Sequence, residues 1–230
     1  MATAIRNDRT VDASFHRSPP LGALSIVFVT LFVASLVAAG VMTGGARFPR
    51  PTDPAELARD YFTHHADAVR IAAFLQFGSA IPLGLFTAAI TSRLKFLGMT
   101  VAGVDIALFG GFAASIFLAL SALTGWVISQ PGVATEVGAL RALQLLGFVT
   151  GGVGHVVALG LLLAGVSVPA AFAKLLPRWL IWLGLILAVV AELSTLSLVL
   201  PMVSILLPLA RFPAFVWLIG AGFSMPRSRP

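Results

Sequence analysis

Long apolar runs separated by short polar segments dominate the chain. Six runs are continuously apolar, without the alternation typical of β-strands, and each is long enough to cross a bilayer core of about 30 Å as a helix. They cover residues 21–43, 68–92, 98–128, 137–168, 178–200 and 202–225. Because hydrocarbon requires every backbone group to be bonded within the span, we predict an all-α bundle of six transmembrane helices.

The longest polar segment, residues 44–70, contains a second kind of helix signal. The order Asp53-Pro54-Ala55-Glu56 is typical of a helix start, with Asp53 as the N-cap and Glu56 three residues further on. We predict an outer-face helix over about residues 54–67. The domain organisation then comprises a basic tail over residues 1–20, one membrane domain over residues 21–225 and a second tail over residues 226–230.

Composition and charge exclude an ordinary soluble protein and suggest an orientation. The chain is 58% apolar and 10% charged, against roughly a quarter charged in soluble domains. Basic residues near the span ends are concentrated on one side, which we predict to be cytoplasmic, with both termini inside the cell (N-in, C-in). These residues are Arg6, Arg9, Arg17, Arg93, Lys95, Lys174, Arg178, Arg227 and Arg229. The net charge of +6 reflects this anchoring, not nucleic-acid binding, and the predicted location is the bacterial cytoplasmic membrane.

Ionisable residues inside the apolar runs are the candidate ligand-binding groups, because each is costly in hydrocarbon. They are Asp105, His155, Glu192 and Arg211. Folding the fourth and fifth spans about their connection brings His155 and Glu192 to one depth, and we predict a contact between them. A turn at Pro201 places Arg211 at the same depth, which predicts a buried ion pair with Glu192.

Several functions fit that cluster. The favoured interpretation is the binding or transport of a small ligand or ion in the bilayer, without catalysis. The alternatives are a scaffold or regulatory subunit that contacts another membrane protein or a second copy, and a haem-binding redox protein with His155 as one axial ligand. The sequence does not identify a cofactor.

A candidate metal site lies on the outer-face helix. Glu56, Asp60 and His64 recur at every fourth position, and Asp67 follows three residues later, so the four side chains fit one helix face. A solvated acidic face explains the same pattern and is the favoured interpretation. The chain has no cysteine, no nucleophile elbow and no phosphate-binding glycine loop before a helix, so an enzyme is not favoured.

Four segments carry a resemblance to known proteins. They are residues 74–84, residues 151–168 with His155, residues 178–197 with Glu192, and Ala210-Arg211-Phe212-Pro213. Together they resemble a group of small multi-pass bacterial membrane proteins with a domain of unknown function, over roughly residues 60–225. The resemblance implies a six-helix fold and no established activity.

Overall fold

A computed structural model describes residue 16, residues 18–50 and residues 53–228. These residues form eight α-helices and no β-strand. The helices are α1 (Leu21–Met42), α2 (Ala55–His64), α3 (Ala66–Phe96), α4 (Ala102–Ile128), α5 (Val137–Phe148), α6 (His155–Phe172), α7 (Arg178–Leu193) and α8 (Leu206–Ser224). Short 3₁₀ turns cover Val133–Thr135, Ser194–Leu198 and Pro201–Ile205, and a π-helical segment, Val149–Gly154, joins α5 to α6.

The prediction of six membrane spans is confirmed. Six helical segments are long and apolar enough to cross a bilayer: Leu21–Met42, Ala66–Phe96, Ala102–Ile128, Val137–Phe172, Arg178–Leu198 and Pro201–Ser224. The second ends four residues later than predicted because Arg93 and Lys95 lie in its last helical turn. Basic side chains are favourable at a helix C-terminus, and their long stems reach the polar interface from within the span.

The spanning helices pack side by side in chain order. Each contacts the next in the series α1, α3, α4, α6, α7 and α8, and α8 returns to pack on α1. The span that contains α5 and α6 is the most enclosed, with 67% of its most apolar stretch buried against 22% for α1. The middle of the bundle is therefore built around α6.

Small residues bring α4 and α6 into backbone contact. A Cβ atom added to Gly110 of α4 would lie 2.7 Å from the carbonyl oxygen of Ala158, and one added to Gly165 of α6 would lie 2.6 Å from that of Gly103. Both distances are too short for any residue larger than glycine. Such small-residue faces are how membrane helices approach closely.

The chain termini lie at one end of the bundle, and the short helix α2 lies at the other. One end, here called the termini face, joins the chain ends: the backbone N–H of His16 donates to Arg227 O (3.0 Å), and Arg93 Nη2 donates to Ser18 Oγ (2.8 Å). The other end, the α2 face, carries α2. The N-in, C-in orientation stays a prediction, and most of the basic tail at residues 1–20, together with Arg229, lies outside the described residues.

The predicted start and end of the outer-face helix need correction. Its N-cap position is Pro54, and Asp53 makes no capping bond. The Asp53 carboxylate accepts instead from the backbone N–H of Arg50 (2.7 Å) and from Arg47 Nη2 (2.9 Å), and these two donors hold the pKa of Asp53 below its ordinary value. The helix ends at His64, because His65 has φ −116° and ψ 27°, and α3 begins in a new register.

Candidate functional site

A polar site lies where the π-helical segment enters α6, in the interior of the bundle. The segment reads Val149-Thr150-Gly151-Gly152-Val153-Gly154 and widens one turn of an otherwise continuous span. Such π-helical turns inside α-helices frequently occur at functional sites. Its glycines leave the backbone open to side chains from neighbouring helices: a Cβ added to Gly152 would lie 3.3 Å from the Leu207 side chain of α8.

His155 is the first residue of α6 and is completely buried. Its Nδ1 lies 2.9 Å from the carbonyl oxygen of Ala114 on α4. Because a carbonyl only accepts, Nδ1 carries the hydrogen of this bond, and Nε2 of the neutral ring presents a lone pair. Nε2 is buried and has no hydrogen-bond partner among the described residues. The site therefore offers one unused acceptor.

Arg211 reaches the same place from α8. Its Nη2 donates to the carbonyl oxygen of Gly151, one helical turn before His155, and its guanidinium carbon lies 5.7 Å from the centroid of the Phe32 ring of α1. Its Nε–H is buried without a partner in the described part of the chain. No ion pair of those residues includes Arg211, so no carboxylate neutralises its charge there.

The predicted ion pair between Glu192 and Arg211, and the contact between Glu192 and His155, do not form. At the depth of Glu192, the inward position of α7 belongs to Ala191, which is 2% exposed, whereas Glu192 is exposed on the outer side. One residue along a helix is a rotation of about 100°, which is enough to remove a side chain from the bundle interior. The depth predicted for Glu192 does not determine the direction of its side chain around α7.

Asp105 lies away from this site. It is in the first turn of α4, at the termini face, and its Oδ1 lies 2.9 Å from Lys95 Nζ. The Asp105 side chain is 70% exposed. This geometry is that of a surface ion pair, and nothing brings Asp105 near His155 or Arg211.

The four metal candidates are not gathered into one site. His64 Nδ1 lies 3.1 Å from Asp60 Oδ1, but Asp67 pairs with Arg70 (3.1 Å) in the new register of α3. No group of three or more His, Asp or Glu side chains in the described ranges could hold a metal ion. The reason is the helix break at His65, which separates Asp67 from the face shared by Glu56, Asp60 and His64.

Three groups of the site were missed by sequence reasoning. They are the Ala114 carbonyl, the Gly151 carbonyl and the Phe32 ring. Backbone carbonyls inside an apolar run carry no sequence signal, and Phe32 is one of 17 phenylalanines. The glycine-rich stretch over residues 149–154 was the one sequence feature that could have pointed to Gly151.

Comparisons with known proteins add no further information. No protein-family model, curated protein or solved structure matches the chain. The resemblance to small multi-pass bacterial membrane proteins therefore stays an expectation.

Proposed function

We propose that this integral membrane protein binds a small anion inside the bilayer, at Arg211 and His155, and carries it across. The observation behind this proposal is the guanidinium of Arg211, which lies within the bundle with a carbonyl and an aromatic ring around it and without an ion pair among the described residues. Ionisable groups retained inside membrane spans are usually functional.

The energetics favour an anion as the missing partner. An arginine at the centre of a spanning helix costs about 2.5–3.5 kcal/mol. A hydrogen bond to the Gly151 carbonyl contributes about 1.5–3 kcal/mol, and the contact with Phe32 about 0.5–2 kcal/mol. These contacts offset the cost of burial but leave the charge itself uncompensated. A bound anion would supply the opposite charge and accept from the Nε–H that now lacks a partner.

His155 narrows the class of anion. Its Nε2 presents a lone pair, so a hydroxyl hydrogen on the ligand satisfies it, whereas a halide or a fully deprotonated oxyanion does not. The pair of residues therefore fits a small oxyanion that keeps one O–H group, such as bicarbonate or dihydrogen phosphate. Chloride serves as the negative comparison.

The depth of the site supports movement across the membrane. Arg211 lies 13 residues from the end of α8 at Ser224, or about 20 Å along the helix, so its guanidinium is remote from the termini face. An anion held there is inside the hydrocarbon region and would leave towards either surface. The protein moves the anion across the bilayer if a path opens from the site to each surface.

Thermal unfolding of the purified protein in a panel of anions tests the binding step. We expect bicarbonate or dihydrogen phosphate to raise the unfolding temperature of the wild type, because a ligand at 100 times its Kd stabilises by about 2.7 kcal/mol. Arg211→Gln should lose this response. Arg59→Gln is the matched control, because Arg59 is exposed on α2 and its replacement changes the net charge equally. An equal response in wild type and Arg211→Gln would reject the site.

A further inference from the structure

Glu192 is an acidic side chain on the outward face of a spanning helix. It lies 14 residues beyond Arg178 at the start of α7, about 21 Å along the helix axis. The large apolar side chains around it are also exposed: Val189 is 60%, Leu193 49% and Leu196 48% exposed. In the bilayer this surface contacts lipid, so Glu192 lies within the hydrocarbon region and away from water.

The Glu192 carboxyl has no hydrogen bond and no ion pair with any described residue. The helices packed on α7 are α6 and α8, and each contains one charged or titratable side chain. His155 of α6 is bonded to Ala114, and Arg211 of α8 is bonded to Gly151. Neither of them neutralises Glu192.

The Glu192 carboxyl lies against a glycine of α6. Gly160 of α6 leaves a recess between α6 and α7, and the Cβ position of a larger residue there would lie 3.5 Å from Glu192 Oε1 and 3.3 Å from the carbonyl oxygen of Ala188. The carboxyl thus lies over the glycine, and no described residue donates a hydrogen bond to it. An ionised carboxylate can only accept hydrogen bonds, whereas a protonated carboxyl has an O–H to donate.

We infer that Glu192 is a proton-binding site that faces the lipid. An isolated carboxylate is strongly disfavoured in a low-dielectric surrounding and takes up a proton instead. The protonated carboxyl is neutral and tolerates contact with acyl chains. This site shares no residue with the anion site of Arg211 and His155. A test of one site therefore neither supports nor rejects the other.

A lipid-soluble carbodiimide tests the inference, because this reagent adds to protonated carboxyls and not to carboxylates. The full-length protein is reconstituted in phosphatidylcholine vesicles and treated at about pH 7.5 and at about pH 4, near the ordinary pKa of glutamate. Peptide mass spectrometry then locates the adduct. We expect labelling of the peptide that contains Glu192 at both pH values, and none in Glu192→Gln.

The other outcomes overturn the inference. Labelling at about pH 4 alone would show that the reagent reaches a carboxyl that is ionised at neutral pH. Absence of labelling at both pH values would show that Glu192 is covered and does not face lipid. Glu56 and Asp60, which are exposed on α2, serve as internal controls: a water-soluble carbodiimide should label them, and the lipid-soluble reagent should not at about pH 7.5.

Discussion

The charged residues at the two ends of the bundle differ from those inside it. All four ion pairs of the described residues lie at the ends, between Arg47 and Asp53, Asp60 and His64, Asp67 and Arg70, and Lys95 and Asp105. Exposed pairs of this kind contribute about 0–1 kcal/mol each. Within the membrane spans, Arg211 and Glu192 have no ion pair among the described residues, although pairing there would relieve the larger cost.

This difference bears on the roles proposed for Arg211 and Glu192. If Arg211 and Glu192 served only to fix helix register, mutual neutralisation would be the expected arrangement. Arg211 instead points to the π-helical segment, and Glu192 lies over Gly160 on the outside of α6 and α7. Their separation is the reason to assign them to two different ligands, an anion and a proton.

The largest effect is expected from a change that separates α4 from α6. Leu in place of Gly110 would clash with Ala158 O and disrupt the interface one turn from Ala114, the acceptor of the His155 bond. We expect Gly110→Leu to lower the free energy of unfolding by about 3 kcal/mol. Gly138→Ala is the control, since its Cβ would meet nothing within 4 Å, and it should stabilise the protein by about 0.5–1 kcal/mol. Denaturant titration in detergent compares them, and equal stability of the two variants would contradict the close packing.

The next effect separates the contribution of Arg211 to anion binding from its contribution to stability. Arg211→Met removes the buried charge together with its bond to Gly151 and its contact with Phe32, and because these contributions nearly cancel, the free energy of unfolding should change by less than about 1 kcal/mol in the absence of anions. The same variant should lose stabilisation by bicarbonate and dihydrogen phosphate. A loss of stability greater than about 1 kcal/mol, measured in the same titration, would instead assign Arg211 a structural role.

A smaller effect is expected at the termini face. Lys95 and Asp105 form an exposed ion pair at 2.9 Å, so Asp105→Asn should change the free energy of unfolding by less than about 0.5 kcal/mol and leave the response to anions unchanged. Denaturant titrations at low and high salt measure it. A change in anion response would mean that Asp105 belongs to the ligand site, as the sequence predicted.

The smallest effect concerns the pH dependence at the α2 face. The Arg50 N–H and the Arg47 guanidinium hold the pKa of Asp53 below its ordinary value. A group whose pKa is lower in the folded state stabilises the protein above its unfolded pKa, and this contribution is lost as the pH falls through the folded pKa. We expect the free energy of unfolding to decline below about pH 4, and Asp53→Asn to decline less. Unfolding is measured by tryptophan fluorescence as a function of pH. An equal decline in stability at acid pH for both proteins would contradict this prediction.

The architecture was predictable from sequence because a long apolar run has few structural alternatives in a bilayer. Six runs gave six spans, and the second extends four residues further than predicted because Arg93 and Lys95 are accommodated in its last helical turn. The break at His65 was not predictable, since His65 has neither a proline nor a glycine beside it. That break removed Asp67 from the predicted metal-binding face.

The site was predictable only in part. His155 and Arg211 were found because ionisable residues stand out in an apolar run, and the depth estimate placed both in the interior. The rotation of α7 could not be read from the sequence, because Gly184, Ala188 and Ala191 are all small and permit packing through more than one face. In the structure Gly184 lies against Ser167 of α6 and Ala191 lies against Gly160 of α6, and Glu192, next to Ala191, is exposed.

The most direct test of the central claim observes the guanidinium itself. The Nε–H of Arg211 has no hydrogen-bond partner within the described residues, and a bound anion would accept from it. In proton–nitrogen NMR spectra of the ¹⁵N-arginine-labelled protein, assigned with Arg211→Gln, we predict a saturable downfield shift of this proton as bicarbonate is added. The Nε–H of Arg93, which is also buried and unpartnered, should not shift. An Arg211 signal that stays unchanged at saturating bicarbonate and dihydrogen phosphate would contradict an anion site.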